Sequence, residues 1–180
     1  MAGRLNKEIL GIMKEQNEYL IPMHAGTNKR AIHAMAAPFR NAHVTKVAAI
    51  ETKGLLFGPL IASYLNVPFI PVLKRSKTVP KGTVFATYSD YAGRRWRIRL
   101  FRASVTPGDR ILLVDDWFDS GNTAKAAISL IQRLGGRIAG ISSIVNQLKP
   151  NDELFFSQFG FRYLVRLSPK KPGQKGRWKP

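Results

Sequence analysis

The sequence predicts an α/β fold, with a mainly parallel central sheet flanked by helices. Three observations carry that prediction. Ile111-Leu112-Leu113-Val114 is an apolar run with the length and composition of a strand buried on both faces, and a polar glycine loop and an amphipathic helix follow it. Lys46 to Ile50 is a second such run, followed by Glu51-Thr52-Lys53-Gly54 and an apolar helix from Leu55 to Leu65. Val67 to Leu73 is a third, ending in the basic loop Lys74-Arg75-Ser76-Lys77. Strand–loop–helix units repeated in this way make βαβ connections, which set their strands parallel.

The 180 residues suffice for one domain with a sizeable core, expected over 1–168, with a basic flexible tail over 169–180. No apolar run reaches membrane-spanning length and the N-terminus has no signal-peptide pattern. The chain has no cysteine, which excludes disulfides and thiolate metal sites and fits a cytoplasmic setting. The formal net charge of +18 favours anionic partners. It is clustered: residues 74 to 102 carry nine basic side chains against one acid, Asp90. The tail adds Lys170, Lys171, Lys175, Arg177 and Lys179 with no acid.

In chain order, residues 5 to 20 read as an amphipathic helix with Leu5, Ile9, Ile12 and Met13 on one face. Thr27 or Asn28 is placed to cap a second helix running to about Phe39. His24, His33 and His43 show no metal-ligand spacing. Val84 to Ser89 and Trp96 to Phe101 read as two antiparallel strands joined through Asp90 to Arg95. Arg95, Arg97 and Arg99 alternate with apolar residues, so at strand period the arginines share one face. That face is either a solvated surface or one for nucleic acid or a nucleotide, continued by the tail. Arg137 to Val145 is a further apolar strand with Asn146-Gln147 at its end. Phe155, Phe156 and Phe159 lead to a last strand, Phe161 to Leu167, and read as core or interface.

The organising stretch is Arg110 to Gly136. Asp115 and Asp116 fall where the apolar run should end, and Asp119-Ser120-Gly121-Asn122-Thr123 forms a polar loop. A helix follows, with Ala124, Ala127, Ile128, Ile131 and Leu134 at helical spacing and Gly135-Gly136 as its stop. Free N–H groups at a helix start make an anion site, and Gly121 allows the loop a close approach to a phosphate. Ser120 and Thr123 add hydroxyl donors. The carboxylates suit neighbouring sugar hydroxyls or a hydrated Mg²⁺. Unpaired acids at a buried strand end are costly, which favours a ligand role.

VDDWFDSGNT resembles the phosphoribosyl-diphosphate (PRPP) motif of type I phosphoribosyltransferases, matching at Asp115, Asp116, Gly121 and Thr123 with Ser120 in place of Thr. Asp119 and Asn122 stand where the family has small residues, and Asp119 sets a negative charge beside the expected phosphate. ETKGLLFGP resembles a segment of the adenine branch of that family, with Lys53 in place of Arg. KRSK, Lys74 to Lys77, resembles the family's K-R-x-K, and ATYS, Ala86 to Ser89, its A-S-Y-S.

The resemblance runs from about Val47 to Gln147. It implies the type I fold, with a small N-terminal hood from about 1–28, Tyr19 to Gly26 lying where it covers the base, and an antiparallel arm. It also implies transfer of phosphoribose from PRPP to a purine base, with nucleoside monophosphate as product, Mg²⁺ as cofactor and a homodimer. Asp115 and Asp116 would hold the ribose hydroxyls, with Mg²⁺ near them but not ligated directly by protein. Asp119, Ser120, Gly121, Asn122 and Thr123 would hold the 5′-phosphate, and Thr52, Lys53, Gly54, Lys74 and Lys77 the diphosphate. Asn146 would meet the base, unless it is a turn residue. The family's arm Glu is absent, and Asp90 is its candidate substitute. Two rivals remain from other classes: a nucleotide-sensing regulator that binds nucleic acid, and an inactive subunit that stabilises a partner.

Overall fold

The computed structural model of the chain describes residues 2–14, 21, 24–74, 79–89 and 93–169. Five parallel strands form the central sheet: β1 (Lys46–Ile50), β2 (Phe69–Val72), β5 (Arg110–Phe118), β6 (Arg137–Asn146) and β7 (Phe161–Arg166). Their order is β2-β1-β5-β6-β7. A separate antiparallel hairpin pairs β3 (Thr83–Ser89) with β4 (Arg95–Phe101). The helices are α1 (Ala2–Lys14), α2 (Ala25–Ala36), α3 (Gly58–Leu65), α4 (Asn122–Arg133) and α5 (Pro150–Ser157). The expected fold class is the one found.

Two apolar clusters sandwich the sheet. Ala48, Ile50, Ile111 and Leu113 pack with α4 and the hairpin residues Val84, Ile98 and Leu100. Val47, Ala49, Leu112 and Val114 pack with α1, α2 and α3, among them Leu5, Ile9, Met35 and Ile61. The alternation in β1 and β5 is the strand period expressed as two buried faces. Burying these side chains supplies most of the stabilisation, at about 1.5–3 kcal/mol for each large apolar group.

Several boundaries differ from expectation. β5 does not stop before the acids but runs on through Asp115, Asp116, Trp117 and Phe118. Trp117 and Phe118 are apolar and buried, so pairing with Val145 and Asn146 of β6 continues past the carboxylates. Thr27 and Asn28 do not cap α2, which begins at Ala25 without a side-chain cap. Thr27 is a buried residue inside the helix, and its hydroxyl donates to Glu8 of α1, whose carboxylate also takes Arg30. The helix after β1 starts at Gly58, behind a 3₁₀ turn over Lys53–Leu56. α5 falls where no helix was expected. Arg99 leaves the expected row of exposed arginines: it is buried, and its backbone pairs with Leu73 at 2.9 and 2.8 Å. Residues 15–20, 22 and 23 of the expected hood and first helix, and the tail beyond Pro169, lie outside the described residues.

The N-terminal edge of the sheet is tied by Asp109. Its carboxylate accepts from Lys46 Nζ at 2.7 Å, the Thr106 N–H at 2.7 Å, and the Thr106 and Thr45 hydroxyls at 2.9 and 3.0 Å. Burial pushes the carboxyl up, but the Lys46 ammonium and these donors outweigh it and hold the pKa at about 2. A depressed acid stabilises the fold above its unfolded value and loses that contribution as pH falls through the folded one. We therefore expect Asp109→Asn to cost about 2 kcal/mol at neutral pH. The difference should vanish between about pH 4 and pH 2, as read by denaturant unfolding. A constant difference down to that range would refute the assignment.

Candidate active site

The strand order reverses between β1 and β5, because the chain leaves β1 for β2 on one side and reaches β5 on the other. α3 follows β1 into one apolar cluster and α4 follows β5 into the opposite one. The loops after these two strands therefore diverge and open a crevice at the carboxyl edge, the usual ligand position in such sheets.

The loop after β1 closes one wall. Its Glu51–Thr52 peptide is cis. Gly54 is buried against the acid pair: a Cβ there would come within 3.0 Å of Asp115 Oδ1 and 3.3 Å of its Cα. The loop can approach the acids this closely only without a side chain at that position. Glu51 accepts the Lys74 N–H at 2.5 Å, joining this loop to the one after β2. Thr52 is exposed and Lys53 half-buried beside it. Lys77 lies outside the described residues.

The acids themselves are held in β5. Asp115 and Asp116 are 9% and 4% exposed, and the Asp116 N–H donates to Asp115 Oδ1 at 2.9 Å. Burial pushes the Asp115 carboxyl well above the ordinary range, the adjacent Asp116 charge adds to the shift, and Lys74 opposes it. Such a group gains by meeting hydroxyl donors or a cation. Strongly shifted acids in a crevice mark functional sites.

On the opposite wall, α4 starts at Asn122 with no side-chain cap. Its first N–H groups lie at the positive end of the helix dipole. Ahead of it, Asp119 Oδ1 accepts the Ser120 N–H at 2.6 Å, so the unexpected carboxylate folds back onto the loop's own backbone. Ser120 Oγ accepts the Asn122 N–H at 3.4 Å. Asn122 Nδ2 donates to the Ser89 carbonyl at 2.9 Å, linking the loop to the end of β3. Thr123 is half-buried in the first turn. Gly121 has φ +68°, and a Cβ on it would lie 2.3 Å from Phe156 Cε2. The close approach that this glycine permits is to a core aromatic ring.

Two further expected residues are Asn146 and Asp90. Asn146 is fully buried; its Nδ2 donates to Glu153 at 2.6 Å and its Oδ1 accepts the Leu148 N–H at 3.0 Å. Both ends of its amide are engaged in the turn after β6, as the turn alternative requires. Asp90 lies outside the described residues. Glu51 and Ser89 are organising residues that local sequence patterns do not reveal. Each acts through a partner far along the chain, so neither leaves a local signal.

A model of the phosphoribosyl transferase domain family matches residues 24–156. The chain is 39% identical over 117 residues to an adenine phosphoribosyltransferase of Myxococcus xanthus, a stretch covering 65% of this chain and 62% of that protein. It thus spans less than two thirds of that relative. Against an adenine phosphoribosyltransferase of Escherichia coli it is 32% identical over 145 residues, covering 80% of this chain and 73% of the other. The crystal structure of an adenine phosphoribosyltransferase from Rhodothermus marinus superposes with a TM-score of 0.74 at 28% identity, covering 84% of this chain and 85% of that one. The Giardia lamblia enzyme complexed with 9-deazaadenine gives 0.74 at 22%, over 84% and 85% of the chains, a likeness of fold.

Proposed function

Because the chain belongs to the phosphoribosyltransferase family, we propose that it transfers phosphoribose from PRPP to a purine base, adenine first, releasing diphosphate in nucleotide salvage. The observation that carries this reading is the packing of Gly54 on Asp115, opposite the uncapped start of α4. It brings the loop after β1, the acid pair and the loop from Asp119 to Thr123 to one crevice, which supports reading the first as the diphosphate seat and the last as the 5′-phosphate seat.

In this reading the 5′-phosphate sits on the loop from Asp119 to Thr123 and contributes orientation rather than chemistry. Asp115 and Asp116 hold the ribose hydroxyls and favour the positive charge that develops at the anomeric carbon. Lys53 and Lys74, with Lys77, receive the leaving diphosphate around the backbone of Thr52 and Gly54. Asp90 is retained as the arm acid that moves a proton at the base.

Asp115 and Asp116 offer the hard oxygen donors that magnesium takes. This donor set fits an ion that arrives with PRPP and meets the acids through water. When bound, Mg²⁺ neutralises charge on the leaving diphosphate.

The homodimer and the cytoplasmic setting belong to the same proposal. Supporting the first, exposed Phe155 and Tyr163 end a run of touching rings through Phe156 and Phe161, and Leu154 beside Phe155 is exposed too. No helix among the described residues is long and apolar enough to cross a membrane. The test is to incubate the full chain with PRPP, Mg²⁺ and a panel of purines. We expect AMP from adenine at the highest kcat/KM of the panel. Absence of nucleotide with every base would refute the reading, and PRPP binding without product would favour the regulator instead.

A further inference from the structure

The arm hairpin has two unlike faces. Val84, Ile98 and Leu100 turn into the apolar cluster under α4. The register sets Phe85 opposite Arg99, Thr87 opposite Arg97 and Ser89 opposite Arg95 on the other face. There Thr87, Ser89, Arg95 and Arg97 are exposed, and Phe101 keeps 41% of its surface in solvent. The Arg97 guanidinium stands 5.4 Å over the half-buried Phe85 ring. Trp96, 5.7 Å from the Arg94 guanidinium, lies on the opposite face with Ile98 and Leu100.

Charge on this element is one-sided. The described residues from Val79 to Gly108 hold six basic side chains and no acid. Only Arg99 of these is buried. The face is also held in place: Arg133 of α4 donates to the Phe85 carbonyl at 3.2 Å, and Leu73 pairs with Arg99. A solvated loop has no need of such anchoring. Arg95 and Arg97 are two residues apart on a strand, hence about 7 Å apart along one narrow ribbon. Paired arginines beside one exposed aromatic ring, Phe101, match a chain that carries both phosphates and flat bases.

We propose that this outer face of β3–β4 binds single-stranded nucleic acid. The partner is single-stranded because stacking on Phe101 needs unpaired bases, which a duplex or a bare polyphosphate lacks. The surface meets the crevice at Ser89, whose carbonyl accepts from Asn122, and the inference does not rest on the transferase reading.

The test uses the full chain, a labelled single-stranded RNA of about twenty nucleotides, and anisotropy over a salt series. We expect affinity to fall steeply with salt. Arg95→Ser with Arg97→Ser should lower the log–log slope by about 1.4, near 0.7 for each phosphate no longer neutralised. Phe101→Ala should weaken binding about tenfold and leave the slope unchanged. Unaltered thermal midpoints in both variants establish that they fold. The proposal is overturned by an absence of RNA binding, or by an unchanged slope in the arginine variant. It fails equally if binding is lost only when the lysines of 170–179 are replaced, or if inorganic polyphosphate or anionic vesicles compete as well as RNA at equal charge.

Discussion

Replacing Asp115 and Asp116 together by asparagine lowers turnover by about two orders of magnitude or more and leaves the thermal midpoint unchanged or higher. The two halves of this expectation share one cause. Asp115 is buried, and burial first, then the Asp116 charge, hold its carboxyl well above the ordinary range. The folded chain therefore binds a proton there more tightly than the unfolded chain does. For an acid raised by folding, the stability contribution is whole below the unfolded value and is lost as pH rises toward the folded one. At neutral pH the wild-type fold thus carries a penalty that asparagine, of nearly the same shape, removes. Turnover moves the other way, because a neutral amide cannot offset positive charge at an anomeric carbon. Melts at about pH 5 and about pH 8 separate the effects: the wild type should lose more stability across that interval than the double variant. Steady-state rates read the other half. Turnover equal to wild type would remove both residues from the chemistry.

Features that are legible in the sequence are those encoded over a few neighbouring residues. The β1 and β5 runs, their polar loops and the helices behind them are local patterns of burial and turn chemistry, and they appear in the expected order, with β5 longer and the helix after β1 starting later than expected. The acid pair and the loop from Asp119 to Thr123 stand out for the same reason. What escapes depends on distant pairs. The Asn122–Ser89 bond joins residues 33 apart and the Glu51–Lys74 bond residues 23 apart. Arg99 reads as exposed by strand period, yet it is buried, and its backbone pairs with Leu73, 26 residues back in the chain. Asn146 carries the same side chain whether it meets a base or closes a turn, and its bond to Glu153 of α5 leaves no mark on the local pattern. That helix does leave a signal. Pro150 at its first turn, followed by Asp152 and Glu153, is a standard helix start. Three nearby phenylalanines point toward a strand approach instead and mask it.

Gly121→Ala should be the costliest single methyl in the site, at about 2–4 kcal/mol, because two penalties fall on one position. The backbone there has φ +68°, a conformation that costs an L-residue about 1–2 kcal/mol. The added Cβ would also sit 2.3 Å from Phe156 Cε2 and 2.6 Å from Cζ. That ring cannot readily yield, since Phe118 and Phe155 stack edge-on against it at 5.2 and 5.1 Å and Phe161 lies at 6.0 Å. Gly108 isolates the first penalty: its φ is +92° and nothing lies within 4 Å of an added Cβ. Gly108→Ala should therefore lose only about 1–2 kcal/mol. Phe156→Leu isolates the second, because a smaller side chain makes room for the methyl without relieving the backbone. In a double-mutant cycle, Gly121→Ala with Phe156→Leu should be less destabilised than the sum of the singles by about 1–2 kcal/mol. Strict additivity would show that the ring is not what excludes a side chain at 121. The same alanine pushes the loop off the start of α4, so KM for PRPP should rise at least about tenfold. Gly108→Ala, remote from that loop, should leave KM where it was. A rise in KM with Gly108→Ala as large as with Gly121→Ala would mean that general destabilisation, and not the seat of the 5′-phosphate, had been measured.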